Sequence, residues 1–368
     1  MLSIRTREDW IAALSERSET IRRLDLSTRN DPGPLGEEAL NFANCSVHTE
    51  AIVQAVEHLT GDLVAAPPIV VSDLLARLVY RGTCGAFAEL AAYSWIARCN
   101  MCFTPQVQLR SGLVLGRDGS TLDGVTHSGL YFDIKAFGFH TNLVNRLRKR
   151  IQEFFQDEQV LISESWDLSL ESLESMFASI NAIAEELRSR RFFRYDQMEI
   201  RLQPMRRVTV TSRVVQPYKL AQENSLFVFS DAQQFTIDAP FAIIFVIHPW
   251  ITGGESYGNV FGEDTILTRS LARRAFFQYS ADTSPLNSIC SRVVPNTTLA
   301  DASRQLSAIC FVNAWPRNES DEPLRHRAPT WIYLNPRAKY PVPFDFVDLA
   351  RSQNEHGTHM DDFAYDDY

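Results

Sequence analysis

The chain has 368 residues, 45% of them hydrophobic, and carries a formal charge of −9 from 36 Lys and Arg against 45 Asp and Glu. That length suits one elaborated domain or two to three smaller ones with a sizeable core, and the acidic balance argues against a protein that coats nucleic acid non-specifically. No apolar run approaches the roughly twenty residues of a membrane span, and Met1-Leu2-Ser3-Ile4-Arg5-Thr6-Arg7 lacks the apolar segment of a secretory leader, so a cytoplasmic protein with no membrane partner is expected.

Residues 1–75 read as a helical N-terminal region, with helices over Arg7–Arg23 and Thr49–Leu59 and breakers around Asn30-Asp31-Pro32-Gly33-Pro34 between them. A further helix spans about Thr83–Asn100. It is apolar all round except for Glu89, and a carboxylate on such a helix is expected to be buried and to need a cation or hydrogen-bond partner. A metal ion, Lys135, or an arginine such as Arg81 or Arg98 would serve.

Extended runs follow at Gln106–Leu115, Thr121–Thr126 and Leu130–Ala136, and Thr126-His127-Ser128-Gly129 supplies hairpin-turn chemistry between the last two. In the third run Tyr131, Asp133 and Lys135 alternate with Leu130, Phe132, Ile134 and Ala136, so one face is polar and the other is core. Asp123 and Asp133 thus come from neighbouring strands, as two hard oxygen ligands suited to Mg²⁺. Lys135 shares the face of Asp133 and would sit beside a metal-bound water. The ordinary alternative is an edge strand with solvated Asp133 and Lys135, and Asp123 flanking a turn.

A basic amphipathic helix is expected over Thr141–Gln156, where Arg146, Arg148, Lys149 and Arg150 face Glu153 alone, and Gln159–Ser163 reads as the next strand. Ser169–Arg190 reads as a long helix running into an arginine-rich stretch, 188–213, that includes Arg190, Arg191 and Arg194 and is opposed only by Asp196 and Glu199. Local basic stripes of this kind bind phosphates even on an acidic protein; a solvated helix face and strand edge would have the same composition.

Over 166–350, strand-like runs at 207–215, 226–229, 241–248, 307–313 and 331–335 alternate with helices at 266–279 and 299–306, an α/β pattern that extends the same sheet. The tail, 351–368, is acidic through Glu355, Asp361, Asp362, Asp366 and Asp367 and is expected to be disordered. It would act as a solubilising tail or, folded over a basic groove, as a phosphate mimic.

Six scattered cysteines read as reduced thiols. Cys99-Asn100-Met101-Cys102 has zinc-knuckle spacing but no second pair follows it. Gly254-Glu255-Ser256-Tyr257-Gly258 matches a nucleophile elbow, giving a remote serine-esterase alternative. Pro249–Gly253 separates it from the preceding strand, whereas an elbow serine stands directly on the strand-to-helix turn.

The succession of helix, three strands, helix and strand over residues 76–165, carrying Glu89, Asp123 and Asp133-Ile134-Lys135, resembles the PD-(D/E)XK nuclease superfamily. Leu122 stands where the motif's name has proline. The resemblance implies an α/β (α+β mixed-sheet) fold with a restriction-endonuclease-like core, an N-terminal helical cap and a C-terminal α/β extension. It implies Mg²⁺, with Mn²⁺ as substitute, held by Asp123, Asp133, Glu89 and the carbonyl of Ile134, with Lys135 orienting water or stabilising charge. The implied substrate is DNA, RNA remaining open, and the implied activity is an endonuclease in restriction or phage defence, acting as a homodimer or with a partner protein of a defence system. The competing reading is a catalytically inactive member that binds nucleic acid or serves as a scaffold.

Overall fold

A computed structural model of the chain describes residues 4–24, 26, 39, 42–80, 83–137, 141–163, 175–195, 198–204, 217–247, 266–314, 330–352 and 358–361. The readings placed on 30–36, 207–215, Ser256 and 362–368 lie outside them.

The described residues of the N-terminal region are mostly helical. Helix α1 (Arg7–Arg17) starts at a capping box in which the Thr6 side chain accepts from Asp9 N–H and the Asp9 carboxylate accepts from Thr6 N–H. Ser18 breaks the single expected helix into two, and its hydroxyl caps α2 (Glu19–Arg23). Helix α3 (Ser46–Thr60) is followed by α4 (Pro68–Tyr80), which begins on proline and buries Val71, Leu74, Leu75 and Leu78 on one stripe. Helix α5 (Thr83–Arg98) is buried along most of its length and packs between α3, α4 and the sheet.

The sheet is mixed and seven-stranded. In chain order its first strands are β1 (Phe103–Leu109), β2 (Ser120–Thr126) and β3 (Tyr131–Ala136), an antiparallel set. The turn between β2 and β3 closes through Gly129 N–H to Thr126 C=O, with Gly129 at φ +86. Helix α6 (Thr141–Gln152) and strand β4 (Glu158–Ser163) then form, with α7 (Ile180–Arg190), β5 (Phe192–Tyr195) and β6 (Met198–Pro204), a separate three-stranded sheet of order β4-β6-β5. The chain passes through α8 (Pro217–Asn224) and returns as β7 (Phe241–Ile247), parallel to β3. Beyond lie α9 (Ile266–Arg273), α10 (Leu299–Gln305), β8 (Leu306–Asn313), β9 (Thr330–Leu334), α11 (Phe344–Ser352) and β10 (Thr358–Asp361), giving the order β1-β2-β3-β7-β8-β9-β10.

Strand β7 shows why the centre of the sheet sits where it does. Ala242, Ile244 and Val246 join the helical cluster on one face, whereas Phe241, Ile243, Phe245 and Ile247 join the cluster on the other. A strand covered on both faces must be apolar at every position, and Phe241–Ile247 is. Burying each large side chain there contributes about 1.5–3 kcal/mol.

The structure corrects several expectations. β4 does not continue the first three strands; the neighbour of β3 is β7. Glu158–Ser163 is half polar and suits a sheet covered on one face, so a core confined to 76–165 would omit a central strand. Leu226–Phe229 is not a strand but part of a tight 3₁₀ turn, Ser225–Phe229, burying Val228 and Phe229; short apolar runs do not reveal their period. The long helix read over 169–190 is described from 175, with a turn at Ser179 before α7. The helix expected to Tyr279 is regular only to Arg273 and then widens into a π-turn over Arg274–Gln278. The acidic tail supplies an ordered strand, β10, parallel to β9.

Candidate active site

Strand β3 carries Asp133 and Lys135 on the face opposite Phe132 and Ile134, which are core. Lys135 Nζ is 2.7 Å from Asp133 Oδ2 and 3.8 Å from the carboxylate of Asp231. The other Asp133 oxygen accepts from Gln234 Nε2 at 2.8 Å. Asp231 and Gln234 arrive on the tight turns that precede β7, about a hundred residues further along the chain.

Asp123 meets this group from β2. The β2–β3 ladder pairs Val125 with Tyr131 and Gly124 with Phe132; at the next level a side chain replaces the main chain, Asp123 Oδ2 accepting from Ile134 N–H at 2.6 Å. Its other oxygen is 3.4 Å from Gln106 Nε2, and Tyr93 OH donates to the Asp123 carbonyl at 2.8 Å. Gln106 lies at φ +55, a left-handed conformation uncommon outside glycine and costly to hold. Next to Asp123, a Cβ on Gly124 would come within 2.4 Å of the Phe132 ring and 2.9 Å of the Thr104 carbonyl, so no side chain fits there.

Burial and then the facing Asp133 carboxylate push Asp123 up to about 8. Burial likewise raises Asp133, against the opposing pull of Lys135. For Lys135, burial alone would lower the pKa; Asp133 and Asp231 outweigh it and hold the ammonium above its ordinary value. Asp133, Lys135, Ser230 and Asp231 line a small pocket together with Phe227, Phe235 and Phe245.

Glu89 does not join the carboxylates. Its two oxygens accept from Arg77 Nη1 and Nη2, each at 2.6 Å, in a forked pair between α5 and α4. The expected burial is there, Glu89 being 9% exposed, and the cation that pairs with it is Arg77, on α4. Burial raises Glu89, and Arg77 opposes that rise. In this structure Glu89 is the ion-pair partner of Arg77. Asp123 lies close enough to add to its electrostatics.

The two arginine sets both belong to the small sheet's module, which has its own apolar cluster including Leu147, Ile151, Val160, Leu187, Ile200 and Leu202. Arg148, Lys149 and Arg150 are exposed on α6, with Arg150 3.8 Å from Glu153; the side chain of Arg146 lies outside the described residues. Arg190 pairs with Glu186 at 3.1 Å, Arg191 pairs with Glu158, and Arg194 is exposed. The acidic partners lie outside 188–213, Glu186 one turn earlier on α7 and Glu158 on β4, so part of the charge counted there is locally neutralised.

Among the described residues no three His, Cys, Asp or Glu side chains are arranged to hold a metal ion. All six cysteines are free thiols, and burial pushes Cys99 up to about 12. No described helix is long and apolar enough to cross a membrane. Comparison with family models, curated proteins and solved structures gave no match.

Sequence reasoning does not single out Arg77, Gln106, Asp231 or Gln234. For Gln106 a signal existed, since it falls at the level of Asp123 in the β1–β2 hairpin; Asp231 and Gln234 carry no motif.

Proposed function

We propose that the chain is a Mg²⁺-dependent phosphodiesterase that hydrolyses DNA, built on a restriction-endonuclease-like core of α5, β1–β3 and β7. The observation that carries this reading is the meeting of two carboxylates, Asp133 buried and Asp123 half-buried, whose pKa values are both raised, beside the Lys135 ammonium. A pair so placed takes up a proton or a cation. Its donor set fits Mg²⁺, which binds through one or two carboxylates and fills its remaining positions with water and substrate phosphate. Asp123, Asp133 and the Ile134 carbonyl would hold it, or Mn²⁺ in its place; N–H and C=O of one strand residue point to the same edge, and the Ile134 N–H is already turned to Asp123. When bound, the ion supplies charge neutralisation at the scissile phosphate and a more acidic water.

The remaining work belongs to the chain. Gln106 and the Ile134 N–H orient Asp123, and Gln234 orients Asp133. Lys135, kept protonated by Asp133 and Asp231, places positive charge where negative charge grows on the phosphate oxygens. Glu89 is left out of the ligand set because Arg77 occupies both its oxygens. Endonucleolytic attack in restriction or phage defence, by a homodimer or with a partner protein, is the setting that goes with this reading. The test is incubation of supercoiled and linear plasmid with and without Mg²⁺, beside an Asp133→Ala protein. Metal-dependent cleavage that Asp133→Ala abolishes supports the proposal, and cleavage at the same rate by the variant overturns it.

A second reading, a non-catalytic nucleic-acid-binding or scaffold protein, is favoured by one observation: Lys135, Asp133 and Glu89 are all satisfied by protein partners. Binding of DNA and Mg²⁺ without cleavage of DNA or RNA would decide for it.

A further inference from the structure

The three-stranded sheet is sealed on one face. Val160, Met198, Ile200 and Leu202 form the apolar cluster with α6 and α7, and Phe193 packs against it. The alternate residues point the other way. Register sets Phe192 of β5 opposite Arg201 of β6, and Arg201 opposite Leu161 of β4; one step along, Arg194 stands opposite Glu199.

Phe192 is 44% exposed on this outer face. Arg194 and Arg201 are exposed as well, Arg201 being paired with Glu199. The aromatic ring is thus flanked by one guanidinium two residues along its own strand and another directly across. Isolated exposed hydrophobic residues need no explanation, but a ring between two arginines on an open strand face has a specific chemical complement. That complement is a planar base with phosphates on either side.

We infer that the outer face of the β4-β6-β5 sheet is a platform for single-stranded nucleic acid, with a base stacked on Phe192 and phosphates at Arg194 and Arg201. The inference rests on the reading of the chain as a nucleic-acid enzyme and narrows the form of substrate this module takes. Duplex hides the base faces in its stack, whereas a flat sheet with a free ring addresses an unstacked base. A competing occupant, an acidic protein segment, would use the arginines but not the ring in this way.

The test is binding of a fluorescent twenty-nucleotide single strand and of the matching duplex to the full chain. It is run in EDTA, so that cleavage does not enter, and at several salt concentrations. Phe192→Ala should weaken single-strand binding about tenfold, within the range for loss of one stacked base, with the salt slope unchanged, while Phe192→Trp keeps it. Arg194→Ala and Arg201→Ala should each weaken binding and reduce the slope by about 0.7. Unchanged affinity in Phe192→Ala overturns the proposal, as does tighter binding of duplex than of single strand. Displacement of the oligonucleotide by polyglutamate at equal charge concentration, with Phe192→Ala making no difference, overturns it in favour of an acidic protein partner. Failure of the nuclease reading shows separately: a chain that never cuts plasmid but loses single strands on Phe192→Ala keeps the platform, and one that cuts plasmid but binds single strands equally well after Phe192→Ala loses it.

Discussion

Lys135 Nζ lies 2.7 Å from Asp133 Oδ2, two residues back on the same strand. A strand brings residues i and i+2 to one face, so this pair is built by local geometry alone. The long-range part of the site is what closes on it: Gln234 on the other Asp133 oxygen and Asp231 near the ammonium.

Removing either member of the local pair is expected to abolish metal-dependent cleavage while the protein stays folded, since neither Asp133→Ala nor Lys135→Ala opens an apolar cavity. Lys135→Arg should fail as well, because a planar guanidinium does not replace a compact ammonium there. Single-turnover plasmid cleavage, with circular dichroism as the folding control, checks this. Activity of Lys135→Arg within a factor of about two of the parent protein would contradict the assigned role.

The raised pKa of Asp123 predicts how stability without metal varies with pH. Its folded value, about 8, lies above the unfolded value of about 3.9, so between the two the folded state binds more protons than the unfolded one. Its contribution is therefore fully present below about pH 4, is lost as pH rises towards 8, and levels off above. Asp123→Asn, which keeps shape without charge, should flatten that slope and raise the melting temperature in EDTA at pH 8. Urea midpoints from pH 5 to 9 measure both effects; a parent slope that survives in Asp123→Asn would refute the cause given.

The Arg77–Glu89 fork predicts asymmetric costs. Arg77→Met leaves a buried carboxylate unpaired and should destabilise by about 3–5 kcal/mol. Glu89→Gln keeps one acceptor for the guanidinium and should cost about 1–3 kcal/mol. The double replacement Arg77→Met with Glu89→Leu should be milder than Arg77→Met alone. Mg²⁺ affinity by calorimetry should be the same in Glu89→Gln as in the parent. A clear loss of affinity would return Glu89 to the ligand set.

Asp231 offers a pH test of the lysine. It helps hold Lys135 above its ordinary value, so Asp231→Asn lowers that value. The expected result is an alkaline limb of the cleavage-rate profile shifted to lower pH, with the acidic limb in place. Gln234→Ala should instead lower the rate across the whole range, by loosening Asp133 without changing any charge. Identical profiles for Asp231→Asn and the parent would remove Asp231 from the site.

How much of this was legible in the sequence depends on distance along the chain. Asp123, Asp133 and Lys135 fall within a single hairpin, where alternation and turn chemistry suffice to place them. Glu89 announced its burial through the apolar helix around it, yet its partner lay on another helix, where spacing gives no guide to which arginine comes near. Asp231 and Gln234 were invisible because their contact spans 101 residues in the case of Gln234. The strand beside β3 was misassigned for a related reason: periodicity identifies a strand but not its sheet. The fully apolar composition of Phe241–Ile247 was the available clue, since only a central strand tolerates it.

The parallel pairing of β3 with β7 has a consequence for synthesis. Tyr131 N–H is bonded to the Pro240 carbonyl and Phe137 N–H to that of Val246, so each end of the strand bearing Asp133 and Lys135 is stitched to chain made more than a hundred residues later. Until about residue 247 has left the ribosome, β3 has an open edge and Asp133 lacks Gln234. The module of β4, β5 and β6, complete by Pro204, has all its strands first. Ribosome-bound chains halted before residue 240 should therefore resist protease within α6, β4, α7, β5 and β6 and be cut within 120–136, and a nascent chain should acquire its charged centre only at the last stage of that half of the fold.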